Sequence, residues 1–261
     1  GGAVFNEGSA DVDFRVESNG NANMLFVDGG TDDVGIGTAS AGSITTANSR
    51  PGLVVGTGSG HNGITIFSGA GSRSSLFFAD ATSGTGTYIG QIDYNHNTDT
   101  LKVETAGAEA LTINASGTVN MPKQPAFQVI PASIQANFPI NATTQVVFGT
   151  ERFDIGANFA NNTFTAPVVG KYLLTTNLRV DNVDKAYGNI QVKIQTSNKS
   201  YYSIIDPQTY AQDANHEALS LTILADMDAS DTALVAIYIP NNGTAQADVQ
   251  TDSYFSGYLV A

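Results

Sequence analysis

Cysteine is absent from the 261-residue chain, which excludes a disulfide framework, a thiolate zinc site and a cysteine nucleophile. Stability has to come from apolar burial or from association of chains. Basic residues are scarce: 11 Lys and Arg stand against 24 Asp and Glu, a formal net charge of −13 at pH 7. That balance repels a phosphate backbone and an anionic membrane surface, so no nucleic-acid partner is expected. Long hydrophobic runs are missing too. Nothing approaches the ~20 apolar residues of a bilayer-spanning helix, and no basic, hydrophobic signal peptide opens the chain. The reading is a soluble protein without membrane insertion. Because the first residue is glycine, the sequence also reads as a piece of a longer or processed protein. Histidine is limited to His61, His96 and His216, with no second histidine at i+4 to form a zinc-protease helix. The glycine-rich runs Gly35-Ile36-Gly37 and Gly56 to Gly60 lack the lysine of a phosphate-binding loop and read as turns.

What is present is distributed unevenly. Of 27 glycines, 21 precede residue 124, whereas six of eight prolines and eight of ten tyrosines follow Lys123. The change falls at Met121-Pro122-Lys123-Gln124-Pro125, a stiff connector unsuited to helix or central strand. We therefore divide the chain into residues 1–123 and 124–261.

In the first region, runs such as Val12–Val16 and Leu101–Glu104 have the period of two expected of half-buried strands. Asp28-Gly29-Gly30, Asn95–Asp99 and Asn114–Gly117 supply hairpin turns between them. Met24–Asp28 with Val34–Ile36 parallels Ala110–Asn114 with Val119–Met121, a degenerate hairpin repeat. Such hairpins bury too little surface to stand alone, which predicts an interlocked trimeric stem. Residues 52–71 read either as a flexible linker or, on Leu53, Val54, Val55, Ile64, Ile66 and Phe67, as further strand. The second region carries longer strand candidates, among them Thr144–Phe148, Lys171–Val180, Asn189–Gln195, Ala218–Leu224, Ala233–Ile239 and Tyr254–Val260. No stretch has a capped helical period, so the fold class is all-β.

The segment 146–178, VVFGTERFDIGANFANNTFTAPVVGKYLLTTNL, resembles the globular head of complement subcomponent q. Phe148, Phe153, Asn158, Phe159, Phe164, Pro167, Gly170 and Tyr172 fall on the family's aromatic pattern, and Phe255–Leu259 resembles its last strand. The resemblance implies a ten-stranded jelly roll of the tumour-necrosis-factor type that assembles as a homotrimer. Phe148, Phe153, Phe159, Phe164, Tyr172, Tyr254, Phe255 and Tyr258 are the expected core and trimer residues. Alternation in the last strand sets Phe255, Gly257 and Leu259 against Tyr254, Ser256 and Tyr258. The first region is similar to tail-fibre stems of marine bacteriophages in the phrases at residues 13–38 and 75–119. Together these imply a virion tail fibre, extracellular, whose head binds a host cell-surface glycan or outer-membrane protein.

Candidate contact residues lie in the stretch Lys199–Glu217, read as a long loop: Tyr201, Tyr202, Asp206, Gln208, Tyr210, Gln212 and Asn215. Tyr201 and Tyr202 read equally well as a continued strand, whereas Pro207 should hold Tyr210 outside. No residues are assigned a catalytic role and no enzyme activity is expected. Calcium is the one cofactor considered, on Asp181, Asp184, Asp226, Asp228 and Asp231; the same aspartates serve as turn formers without any ion. The competing readings are a secreted complement-like interaction protein and a glycan-cleaving tailspike, the latter requiring two carboxylates about 5 to 9.5 Å apart.

Overall fold

The computed structural model describes residues 5, 8, 10–46, 52–240 and 242–261. They fall into two compact units, 1–75 with 95–97 and 76–94 with 98–261. The first unit is built on β1 (Phe14–Val16), β2 (Leu25–Asp28), β3 (Asp33–Ile36) and β4 (Leu53–Val55), which form one sheet in that order. The β2–β3 turn is made by Asp28, whose Oδ1 accepts the backbone N–H groups of Gly30 and Thr31. A six-residue helix, α1 (Ala41–Thr46), crosses from β3 to the parallel strand β4. Its anchor is the buried Asp33: Oδ2 accepts from the Thr45 hydroxyl at 2.7 Å, and Oδ1 accepts the Gly52 N–H at 2.6 Å. A carboxylate can be buried here because three donors, Thr31 included, hold it ionised, with its pKa lowered chiefly by Thr45.

Next comes a meander of β5 (Arg73–Phe78), β6 (Gly90–Asn95), β7 (Thr100–Thr105), β8 (Ala108–Ile113) and β9 (Val119–Asn120), neighbours in that order. Ala106 and Gly107 both have positive φ, 51° and 70°, which is the primed turn that matches strand twist between β7 and β8. The repeat read from sequence has a counterpart in register. Val27 faces Val34 and Phe26 faces Gly35, while Ile113 faces Val119 and Thr112 faces Asn120. Asn114 Oδ1 accepts from the Ser116 and Thr118 N–H groups, as Asp28 does in the first copy. The stretch 52–71 divides between its two readings: Leu53–Val55 is strand, but Ile64, Ile66 and Phe67 lie in irregular chain, Phe67 with 95% of its surface exposed.

The remaining strands are β10 (Ala126–Ile130), β11 (Ala142–Gln145), β12 (Thr150–Ile155), β13 (Phe159–Ala160), β14 (Thr163–Thr165), β15 (Gly170–Val183), β16 (Ile190–Thr196), β17 (Ser200–Ile205), β18 (Ala214–Met227), β19 (Thr232–Ile239), β20 (Asp248–Val249) and β21 (Tyr254–Leu259). They form two antiparallel sheets, β12-β10-β21-β15-β18 with β20 on β15, and β13-β14-β19-β16-β17 with β11 on β19. Strict alternation places Tyr172, Leu174, Leu178 and Val180 of β15 and Ile190, Val192 and Ile194 of β16 between the sheets. At the centre, Phe127 stacks on Phe164 and Phe159 at centroid separations of 4.6 and 5.4 Å and meets Phe255 edge-on at 5.0 Å. The two buried tyrosines keep their hydroxyls satisfied: Tyr172 donates to Val168 O, and Tyr187 donates to Thr244 O.

The expected strand Thr144–Phe148 stops at Gln145, although Val146 and Phe148 remain buried. There the amide of Gln135 substitutes for a neighbouring strand, accepting Val147 N–H through Oε1 and donating to Val147 O through Nε2. Truncating the central ring, Phe127→Ala, is expected to cost about 3–5 kcal/mol of unfolding free energy, read from the denaturant midpoint.

Candidate functional site

Each sheet of the jelly roll has a face turned away from the core. On the β12-β10-β21-β15-β18 sheet, the ladders align Ile155, Ala126, Tyr258, Leu173 and Leu224 in one row across five strands. The next row is Phe153, Gln128, Ser256, Thr175 and Thr222, with the two threonine hydroxyls 2.8 Å apart. Beyond it stand Tyr254, Asn177 and Ser220, and then Arg179, which binds Asp181 and Asp252. The surface thus grades from apolar through hydroxyl and amide to charged. In the apolar row Tyr258 and Leu224 leave 47% and 58% of their surface open, and Phe153 in the next row leaves 48%.

Of the expected core and trimer residues, Phe148, Phe159, Phe164, Tyr172 and Phe255 lie in the core. Phe153, Tyr254 and Tyr258 point outward, Tyr254 half-buried. The last strand separates inward Phe255 and Gly257 from outward Tyr254, Ser256 and Tyr258. Gly257 is close-packed: a Cβ there would stand 2.6 Å from Leu174 Cδ2 and 2.9 Å from Phe127 Cε1.

The expected contact loop is shorter than the sequence indicates, because β17 runs to Ile205 and β18 starts at Ala214. Tyr201 and Tyr202 are strand residues. Tyr201 is half-buried with the Lys199 ammonium 5.2 Å from its ring centroid, whereas Tyr202 is open on the outward face. Asp206 caps a 3-10 turn at Pro207–Thr209, accepting Gln208 N–H at 3.1 Å. Pro207 is buried and Tyr210 half-buried, so the proline does not hold that tyrosine outside. Burial first, then the nearby Glu217 carboxylate, raises the Tyr210 pKa. Gln208 and Gln212 are exposed, and Asn215 lines a separate polar depression of about 460 Å³ with Asn137, Asn182, Asp213, Gln246 and Asp248. The seven residues therefore occupy four places: Tyr202 the outward sheet face, Tyr201 the opposite face of the same strand, Asp206, Gln208, Tyr210 and Gln212 the loop, and Asn215 the depression.

The outward face that holds Tyr202 contains residues the sequence reading passed over. Lys193 pairs with Tyr202 and with Ala236 across the ladders, and Gln191 pairs with Ile204 and Tyr238. Period-two alternation in β16 marks Gln191 and Lys193 as outward, but only the strand register shows which tyrosines accompany them.

The five aspartates considered for calcium do not converge. Asp226 pairs with Lys171, ten positions along β15 from Asp181, roughly 33 Å of strand. Asp228 and Asp231 share one turn, with Asp231 accepting Asp228 N–H, the Ser197 hydroxyl and the Asn198 amide. Asp184 joins two loops, accepting Ala186 N–H at 2.8 Å and Thr244 N–H at 3.0 Å. Among the described residues, the one acidic triad with ligand atoms within 4.8 Å of one another is Asp11, Asp13 and Asp28, in the first unit.

The family model described as C1q domain matches residues 126–260. Among solved structures, the globular domain of zebrafish complement 1qA protein is 14% identical with a TM-score of 0.39, covering 53% of this chain and 98% of its own. Murine APRIL at pH 5.0 is 11% identical with a TM-score of 0.37, covering 53% of this chain and all of its own. No curated protein matches. Within the described residues, no helix is long and apolar enough to cross a membrane.

Two outcomes are expected from these faces and loops. Leu224→Asp puts a charge into the apolar row and should reduce the molar mass in light scattering to that of one chain, with circular dichroism unchanged. Backbone donors at Ala186 and Thr244 lower the Asp184 pKa against the opposing effect of burial. Its stabilising contribution is therefore complete above the ordinary carboxylate pKa and fades as pH falls through the lower folded value. Asp184→Asn should flatten that acid limb in unfolding midpoints measured between pH 6 and pH 2.

Proposed function

The chain belongs to the C1q domain family, whose members form homotrimers, and from that premise we propose that it is the receptor-binding end of a bacteriophage tail fibre. In this reading residues 1–123 form a trimeric fibrous stem and residues 124–261 a head that grips the host surface. The mechanism is binding without covalent change. Three heads about one axis add weak contacts to a cell-surface glycan or outer-membrane protein through avidity.

The observation that carries the stem is how little its second half buries. Among the described residues from 52 to 124, the only buried one is Asp93. Leu76, Phe77, Phe78, Ile92 and Tyr94 meanwhile leave between 37% and 54% of their surface open. The first unit has an apolar row, Phe14, Val27, Val34 and Leu53, across all four strands, of which Val27 and Leu53 are exposed. Sheets that bury so little in one chain gain stability by packing on sister chains. The similarity of residues 13–38 and 75–119 to phage stems favours a virion over the second reading, a secreted complement-like interaction protein. The family match alone serves that second reading equally well.

Light scattering at neutral pH should give the mass of three chains with and without chelator, and a single-chain mass would sink the assembly. Fluorescently labelled protein is expected to coat bacterial cells and leave animal cells bare. The reverse pattern would transfer the reading to the complement-like class.

A further inference from the structure

The outward face of the β13-β14-β19-β16-β17 sheet shares its lack of carboxylates with the central rows of the opposite sheet but, unlike them, carries a lysine at its centre. Its three central rows, read through the ladders, are Ser200–Gln195–Leu234–Thr163, Tyr202–Lys193–Ala236–Gln145 and Ile204–Gln191–Tyr238–Thr143. These twelve positions contain no carboxylate, in a protein with 24 acidic residues. Lys193 stands in the middle row. Among the described residues it has no ion-pair partner, whereas Arg15, Lys102, Lys171 and Arg179 each bind a carboxylate. The nearest acidic groups along the chain are occupied: Asp184 accepts the Ala186 and Thr244 N–H groups, and Asp206 caps its own turn.

We infer that this face binds an acidic polysaccharide, with the Lys193 ammonium pairing a sugar carboxylate and the Tyr202 and Tyr238 rings flanking it against pyranose faces. The inference rests on the adhesion reading and names its ligand class. Tyr202 and Tyr238 sit two strands and one outward row apart with Lys193 on the strand between, so they are separated by about 12 Å. That span fits successive sugars of a polymer better than one monosaccharide. Gln191 and Gln195 add amide donors and acceptors suited to sugar hydroxyls, and Tyr rings supply contact area at low entropic cost. The face holds a single ammonium and no arginine. Charge complementarity further decides the choice: against a net charge of −13, an anionic ligand is tolerated only where the local surface carries no like charge.

The test is calorimetric titration of the whole chain with polygalacturonate and with the same polymer after carboxyl reduction, at low and at physiological salt. Wild type should bind the acidic polymer and lose at least about tenfold in affinity for the reduced one, the scale of one hydrogen bond to a charged group. Lys193→Gln and Tyr202→Ala should each weaken binding to the acidic polymer by a similar factor. Lys185→Gln, whose ammonium lies outside the three rows and donates to Ala211 O, should bind as wild type. Absence of wild-type binding, equal binding of the reduced polymer, or Lys193→Gln within twofold of wild type would each overturn the assignment. Should labelled Lys193→Gln protein still coat cells that wild type coats, this site falls while the adhesion reading stands.

Discussion

The head depends on one ring that makes three contacts. Phe127, from a strand of one sheet, lies against Phe159 and Phe164 of the other and against Phe255 of its own sheet. Aromatic rings bury large areas in few rotamers, so this cluster sets both the distance between the sheets and their relative position. Once that spacing is set, the alternation of each strand decides which residues remain outside. The apolar row through Tyr258 and Leu173 and the carboxylate-free face around Lys193 both follow from it. These outward faces differ in chemistry because each sheet spends its other alternate positions on the same core.

The stem obeys the opposite economy. Its strands are as regular as those of the head, with well-formed turns at Asp28, Ala106-Gly107 and Asn114. Yet among the described residues of the meander only Asp93 is buried. Backbone pairing fixes the order of its strands, and its side chains remain available for intermolecular packing. In the reading proposed above, one chain combines a head with a core of its own and a stem that packs on sister chains.

Much of this was legible in sequence because strand alternation and turn chemistry are local signals. The pattern around Tyr172 and Leu174, the order of Tyr254 to Leu259 and the two hairpin copies could all be read directly. What escaped was non-local. The Gln135 amide bracketing Val147 joins residues 12 apart through a side chain, and no periodicity reports it. Asp33 looks like any turn aspartate until Thr45 and Gly52 are found on it. The stretch 199–217 was read as loop because tyrosine and serine suit loops and strands alike. Ile64, Ile66 and Phe67 show the reverse error, since apolar residues without pairing partners do not make a strand.

The two hairpin copies carry a consequence for how such a chain changes over time. In each, the strand register is dictated by an Asx side chain inside its own turn, independently of what precedes or follows. A unit that sets its own alignment can be duplicated or lost without misaligning its neighbours. In the fibre proposed above, length then changes in steps of one hairpin while the binding face is selected separately, so that the two become independent variables within a single gene.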